Sequence, residues 1–319
     1  MSLTIALTGA TGFIGRNLVR RLTSTGWQIR ALIRPSSQDS PKVEVTVQWI
    51  EGDLGDPDSL HHLVNGANAI VHCAGAIRGA SQAHFNRVNV DGVARLVQVA
   101  REQHQLPRFL LISSLAAREP HISPYAASKR QGEEALVAAS GEMDWTTFRP
   151  PAVYGPGDKE LLPLFRWIGR GIAPILGEVN AKFSLLYVED LSEAVVKWLD
   201  SGKGERQCFE LHDGHPGGYT WSEVIETVAR LYGKTPFRLR VPKSILQFLA
   251  TLNLTTAQLL GYAPMLTPGK VRELTHHNWV CDNNAVSHEI GWFPRISLEE
   301  GLRRTLKIEP QSTQRAQRF

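Results

Sequence analysis

Apolar residues follow two rhythms through the first half of this chain. Short aliphatic and β-branched runs fall at 4–8, 28–33, 45–50, 69–73, 109–113 and 145–148, each apolar almost throughout rather than alternating. Strands with that character are covered on both faces, the condition of a parallel sheet lying between layers of helix. Between the runs, apolar positions recur at helical spacing. Ile14, Leu18, Val19 and Leu22 form one stripe, and Val90, Val93, Leu96, Val97 and Ala100 form another. The alternation predicts an α/β fold built on a doubly wound parallel sheet.

After Pro150 the rhythm weakens. Gly155, Pro156, Gly157, Pro163, Gly169, Gly171, Pro174 and Gly177 punctuate a passage that reads as loop. Helical patterns follow at 190–198, 221–232, 242–260 and 297–305, with a strand-like run at 208–211. The expected organisation is a first domain over 1–150, then a smaller mixed α/β domain over 151–308 with some segments returning to the first. The polar, aperiodic stretch 309–319 is expected to be a flexible tail.

Composition narrows the classes. With 319 residues, 42% hydrophobic and 21% charged, the chain can bury a large core and is no disordered polymer. A net charge of +4 is too small to indicate a nucleic-acid partner. Cys73, Cys208 and Cys281 are odd in number and far apart, which suits a reducing, cytoplasmic setting rather than a disulfide framework. No basic, long-apolar, small-residue leader pattern opens the sequence. The most lipid-like stretch, 244–260, is interrupted by Gln247, Thr251, Asn253, Thr255, Thr256 and Gln258, so no membrane span is expected. His212, His215, His276 and His277 lack metal-site spacing, and no catalytic metal is expected.

The run Thr8-Gly9-Ala10-Thr11-Gly12-Phe13-Ile14-Gly15 lies between the first predicted strand and the first predicted helix. In that context Gly9 permits a tight turn, Gly12 lets backbone approach a pyrophosphate, and Gly15 lets the helix pack closely on the strand. The free N–H groups and dipole of the helix N-terminus complete a dinucleotide cradle of Rossmann type. The second strand ends at Ile33-Arg34 with no acid, and Ser36 and Ser37 follow. A cation there favours NADP, with NAD as the alternative; a solvated strand-end charge is the competing use of Arg34. Asp53, after the third strand, is placed to accept from an adenine amine, while Asp56 and Asp58 compete as helix caps.

Tyr125 and Lys129, in Pro124-Tyr125-Ala126-Ala127-Ser128-Lys129, stand four apart at a helix start and so share a face. A phenol serves as acid or base when a neighbouring ammonium stabilises its phenolate, and that ammonium can also hold a ribose hydroxyl. Ser114 ends the fifth strand, at the carboxyl edge where open α/β sheets bind ligands, and can orient a substrate oxygen.

Glycine turn, strand-end serine and Tyr-x-x-x-Lys pair together resemble the extended short-chain dehydrogenase/reductases. Asn89-Val90-Asp91-Gly92, the stretch from Arg149 through Pro150 and Tyr154 to Gly157, and Tyr187-Val188-Glu189-Asp190-Leu191 resemble segments of the NAD(P)-dependent epimerase/dehydratase group. The resemblance implies catalysis by Ser114, Tyr125 and Lys129. It implies dinucleotide contacts from Gly9, Thr11, Gly12, Phe13, Ile14, Gly15, Arg34, Asp53, Leu54, Ala74, Gly75, Ala76, Asn89, Pro150 and Val153, besides Tyr125 and Lys129. Hydride would move between nicotinamide and a secondary alcohol or ketone of a small-molecule substrate. A homodimer through helices near 84–104 and 125–140 is a further implication.

Departures from the family pattern bear on substrate. Leu115, Ala116 and Ala117 follow Ser114 where sugar-nucleotide dehydratases carry acids, which disfavours dehydration. Only eleven positions separate Ser114 from Tyr125, and Ala152 stands where many epimerases carry an amide. Arg166, Arg170, Arg238, Arg240 and Arg295 remain to meet a diphosphate. The first expectation is an epimerase or oxidoreductase acting on a nucleotide-linked sugar. The apolar segment Ile245, Leu246, Phe248, Leu249, Leu252, Leu254, Leu259 and Leu260 sustains an alternative, a hydroxysteroid-dehydrogenase-like reductase of an apolar ketone, with helix packing as its simpler use. A dinucleotide-binding subunit without catalysis is the third reading.

Overall fold

The computed structural model describes residues 3–35, 47–178 and 180–308; Ser36, Ser37, the start of the expected third strand and the 309–319 stretch lie outside the described residues. In the first half, β1 (Thr4–Thr8), α1 (Phe13–Leu22), β2 (Gln28–Ile33), β3 (Val47–Glu51), α2 (Pro57–Val64), β4 (Ala69–His72), α3 (Gln82–Asn89), α4 (Asp91–Arg101), β5 (Arg108–Ile112), α5 (Pro124–Ser140) and β6 (Trp145–Arg149) follow one another. The second half comprises β7 (Ala152–Tyr154), α6 (Leu162–Gly169), β8 (Ile172–Leu176), β9 (Lys182–Phe183), β10 (Leu185–Tyr187), α7 (Val188–Ser201), β11 (Gln207–Glu210), β12 (Tyr219–Thr220) and α8 (Trp221–Tyr232). It closes with β13 (Phe237–Val241), α9 (Lys243–Leu260), α10 (Pro268–Leu274), β14 (Asn278–Trp279), α11 (Asn284–Ile290) and α12 (Leu298–Leu306).

Among the described residues, seven strands form one parallel sheet in the order β11-β6-β5-β4-β1-β2-β3. Chain order reverses beside β1, which pairs with β2 on one side and β4 on the other, and a crevice opens there at the carboxyl ends of the strands. One sheet face is covered by α1, α7 and α11 through Leu18, Leu22, Leu191, Val195, Trp198 and Val286. The other is covered by α2, α4 and α5 through Leu60, Leu63, Val93, Leu96 and Leu136. The expected all-apolar strands meet this double cover: Ile5, Ala6 and Leu7 are fully buried in succession.

The last strand of this sheet, β11, comes from beyond residue 200, and α7 packs against α1 from the same region. A separate core gathers Tyr154, Phe165, Tyr187, Trp221, Val224 and Leu302. The passage expected as loop between Gly155 and Gly177 instead contains α6 and β8. Pro163 sits in the first turn of α6, where its missing N–H costs nothing. Pro174 is tolerated because β8 pairs with β13 alone. Among the described residues no helix is long and apolar enough to cross a membrane.

Candidate active site

The glycine turn lies at the mouth of the crevice. Gly9 has φ +72°, and a Cβ there would sit 2.6 Å from the Ala74 amide nitrogen. A Cβ on Gly15 would sit 2.0 Å from the Gly9 carbonyl oxygen, so only glycine lets α1 approach the turn this closely. The Gly12 amide donates to the Gly9 carbonyl at 3.0 Å, and α1 begins at Phe13 with neither a side-chain cap nor an acid in its first turn. Its leading N–H groups, from Phe13 and Ile14 onward, are thus left for an anion. This cradle fits a dinucleotide pyrophosphate. Thr11 lies within the turn, its carbonyl accepting from Arg16 Nε at 2.8 Å.

On the neighbouring strand, Arg34 follows β2 as an exposed residue. Asp53 is exposed after β3 and accepts from the Gly55 amide, while Asp56, the expected rival, caps α2 through the Asp58 amide at 3.1 Å. Leu54 packs where a Cβ on Gly92 would lie, 2.7 Å from its Cδ1. On the other side of the crevice, Ala74, Gly75 and Ala76 follow β4. Asn89 fixes this loop: its Oδ1 accepts from the Ala76 amide at 2.8 Å, and its Nδ2 donates to the Ala76 carbonyl at 3.0 Å and to Ser128 Oγ at 2.9 Å. Asn89 thereby ties the loop to α5.

Helix α5 starts at a Ser123 cap, whose side chain accepts from the Ala126 amide, with Pro124 at the first helical position. That start sets Tyr125 and Lys129 on one face. Lys129 is buried and its Nζ donates to the Ile112 carbonyl at 2.9 Å, at the end of β5. Burial pushes its ammonium down to about 8, with Cys73 and Glu133 opposing the fall. Burial pushes the Tyr125 phenol upward, against a hydrogen bond with Ser114 and the charge of Lys270, while Glu273 adds to the rise. Ser114 also caps the short 3₁₀ turn Leu115–Arg118, accepting from the Ala116 amide at 3.2 Å. Pro150, whose carbonyl accepts from the Leu115 amide at 2.8 Å, holds this turn against the end of β6. Val153 packs against the core beneath.

The structure adds a pair that no sequence motif indicated. Lys270, on α10, lies 5.8 Å from the centre of the Tyr125 ring and pairs with Glu273 at 2.8 Å. Glu273 also accepts from Ser123, 150 positions away in sequence. A pocket beside Tyr125 is walled by Ile77, Phe85, Pro264 and Met265, with Lys270 and Glu273 as its ionic lining. Of the five arginines offered for a diphosphate, Arg238 is engaged with Glu226 at 2.9 Å and reaches Ser222. Among the described residues no cluster of three or more His, Cys, Asp or Glu is placed to hold a metal.

The geometry is a dinucleotide crevice with a tyrosine, a serine and a lysine at its inner end. Residues 5–208 match the model of the NAD dependent epimerase/dehydratase family. The chain belongs to that family. It is an enzyme of the extended short-chain dehydrogenase/reductase kind, whose relatives are named as reductases and epimerases. It is 38% identical over 276 residues to a ceramide reductase of Caulobacter vibrioides, covering 86% of this chain and 85% of that protein. Its fold is similar to that of a UDP-glucose 4-epimerase from Thermotoga maritima solved with UDP-glucose (TM-score 0.75, 20% identity, 96% and 98% of the two chains). It is likewise similar to a UDP-glucuronic acid 4-epimerase from Bacillus cereus solved with NAD (TM-score 0.74, 17% identity, 96% and 98%).

Proposed function

We propose that this enzyme reduces a ketone carried by a long apolar molecule, such as an oxidised long-chain amide lipid. The observation that carries this reading is the hollow beside Tyr125, where Ile77, Phe85, Pro264 and Met265 offer apolar surface next to the ionic pair Lys270 and Glu273 and the hydroxyls of Ser123 and Thr267. The identity to a protein named ceramide reductase supports it. The nucleotide-linked sugar is the second reading, favoured by fold likeness to the sugar-nucleotide epimerases.

The dinucleotide, when bound, supplies or takes up hydride at the carbinol carbon. Gly9, Thr11, Gly12, Phe13, Ile14 and Gly15 would hold its pyrophosphate, Asp53 and Leu54 its adenine, and Ala74, Gly75, Ala76, Pro150 and Val153 its nicotinamide half. Arg34 would select the 2′-phosphate of NADP. Tyr125, kept neutral by burial, donates its proton to the carbonyl oxygen as charge develops there. The Ser114 hydroxyl donates to the same oxygen, and the ammonium of Lys270 steadies the phenolate left behind. Lys129 holds a ribose hydroxyl.

The test is oxidation of NADPH, followed by its absorbance, with a long-chain keto-amide in mixed micelles beside a panel of UDP-sugars. Turnover of the keto-amide and a weaker response to NADH are expected. Interconversion of UDP-sugars without keto-amide turnover would replace this reading with the second.

A further inference from the structure

Helix α9 is apolar on two faces, but only one of them meets the protein. Leu246, Ala250 and Ala257 are buried, the first two against Val271. At 3.6 residues per turn, Ile245, Phe248, Leu249, Leu252, Thr256, Leu259 and Leu260 form a second stripe, roughly a quarter turn or more away. That stripe points to solvent: Phe248 is 69% exposed, Leu252 56%, Leu259 81% and Leu260 73%. Beyond Lys243 at its start, the helix carries no charged residue. Phe237 and its register partner Ile172, exposed on the β8-β13 ribbon that leads into α9, add further bare apolar surface. So many exposed large side chains on one element exceed the scattered apolar residues of an ordinary surface.

The surrounding charge says what covers this face. Between Glu226 and Glu273 the chain has no Asp or Glu, yet carries Arg230, Lys234, Arg238, Arg240, Lys243, Lys270 and Arg272. Arg230, Arg238 and Lys270 pair with Glu299, Glu226 and Glu273, and Arg272 donates to the Ile122 carbonyl, while Lys234, Arg240 and Lys243 are exposed on the segment that leads into α9. An apolar stripe bordered by Lys and Arg matches the boundary of an anionic lipid bilayer, where side chains enter the acyl region and cations meet headgroups. At about 27 Å, the length of an 18-residue helix, α9 lies flat along such a surface.

The other side of α9 reaches toward the catalytic pocket, Leu254 lying about half a turn from the exposed stripe. Leu254 of α9 lines a second hollow with Gly79, Phe85 and Pro124, and Phe85 and Pro124 also line the pocket beside Tyr125. The Gly79 amide donates to the Pro264 carbonyl at 3.3 Å, joining the loop after β4 to the α9–α10 connection. We infer that α9 is an interfacial helix that seats the enzyme on anionic lipid. The inference stands apart from the ketone reading.

The test is co-sedimentation of the full chain with vesicles of phosphatidylcholine alone or mixed with phosphatidylglycerol, with no substrate present. Binding to the anionic vesicles, weakened by salt, is expected, with at least a tenfold loss of partitioning for Phe248→Glu and for Leu252→Glu. Both substitutions are on exposed positions, and retained NADPH binding with an unchanged melting temperature certifies their folding. Arg240→Gln with Lys243→Gln should lower binding to anionic vesicles only. Failure of the wild type to sediment, or equal sedimentation of Leu252→Glu, overturns the inference. A wild-type dimer that Phe248→Glu converts to monomer, without vesicle binding, would assign the face to a second copy instead. None of these readouts depends on turnover, so failure here leaves the ketone reading untouched and the converse also holds.

Discussion

Tyr125 is held as an acid by its surroundings. Burial raises its phenol, so the neutral form prevails at neutral pH, and in the proposed reduction the ammonium of Lys270 would lower the cost of the phenolate. Tyr125→Phe is expected to cut kcat by about two to four orders of magnitude while leaving affinity for the reduced dinucleotide, measured by fluorescence titration, nearly unchanged. Where Lys129 holds a ribose hydroxyl, as proposed, it sets the pH dependence of cofactor binding. Its folded-state pKa is depressed to about 8, so its charge is present below that pH and lost above it. Cofactor affinity should therefore weaken as pH rises through about 8, and Lys129→Met should remove that inflection. Ser114, Tyr125 and Lys129 were legible in the sequence because strand end and helix spacing place them together. Lys270 and Glu273 were not, since their approach to Tyr125 and Ser123 depends on how α10 folds back, a contact without local periodicity.

At the level of elements, spacing served well wherever burial is symmetrical. The runs 4–8 and 28–33 are strands to the residue, because a covered parallel strand needs an unbroken apolar run. It failed over 155–177, where prolines sit at permissive positions, the first turn of α6 and a ribbon of two strands. Close helix contact is another feature that spacing hides. A Cβ on Gly132 of α5 would fall 2.1 Å from the Asn89 carbonyl oxygen, at the junction of α3 and α4. Gly132→Ala must push α5, with Tyr125 and Lys129 on its first turns, away from the loop that Asn89 anchors. A loss of about 1–3 kcal/mol in urea unfolding is expected, together with a fall in kcat larger than any change in cofactor affinity.

Across the whole molecule, the division at residue 150 is one of sequence rhythm more than of packing. The sheet is closed on one side by β11, and the face over β1 is covered by α7, both from the second half. Trp198 shows the dependence: fully buried, it donates through Nε1 to Thr146 Oγ1 at 2.8 Å, and Arg108 stacks on it at 4.3 Å. Asp190 binds the amides of Arg295 and Ile296 at 3.1 and 2.9 Å, drawing the end of the chain onto the same layer. A fragment of residues 1–150 is expected to lack cooperative unfolding and to expose apolar surface to a dye such as ANS.

Placing β11 so late in the sequence also constrains synthesis. A ribosome adding roughly 5–20 residues per second releases the residues of the first six strands and the glycine turn well before those of β11 and α7. The Trp292 indole, which donates to the Asp190 carbonyl at 3.1 Å, emerges later still. For on the order of ten seconds, the nascent chain therefore carries the residues of the nucleotide crevice without the elements that cover its sheet, an interval in which a chaperone would have to shield the exposed apolar layer.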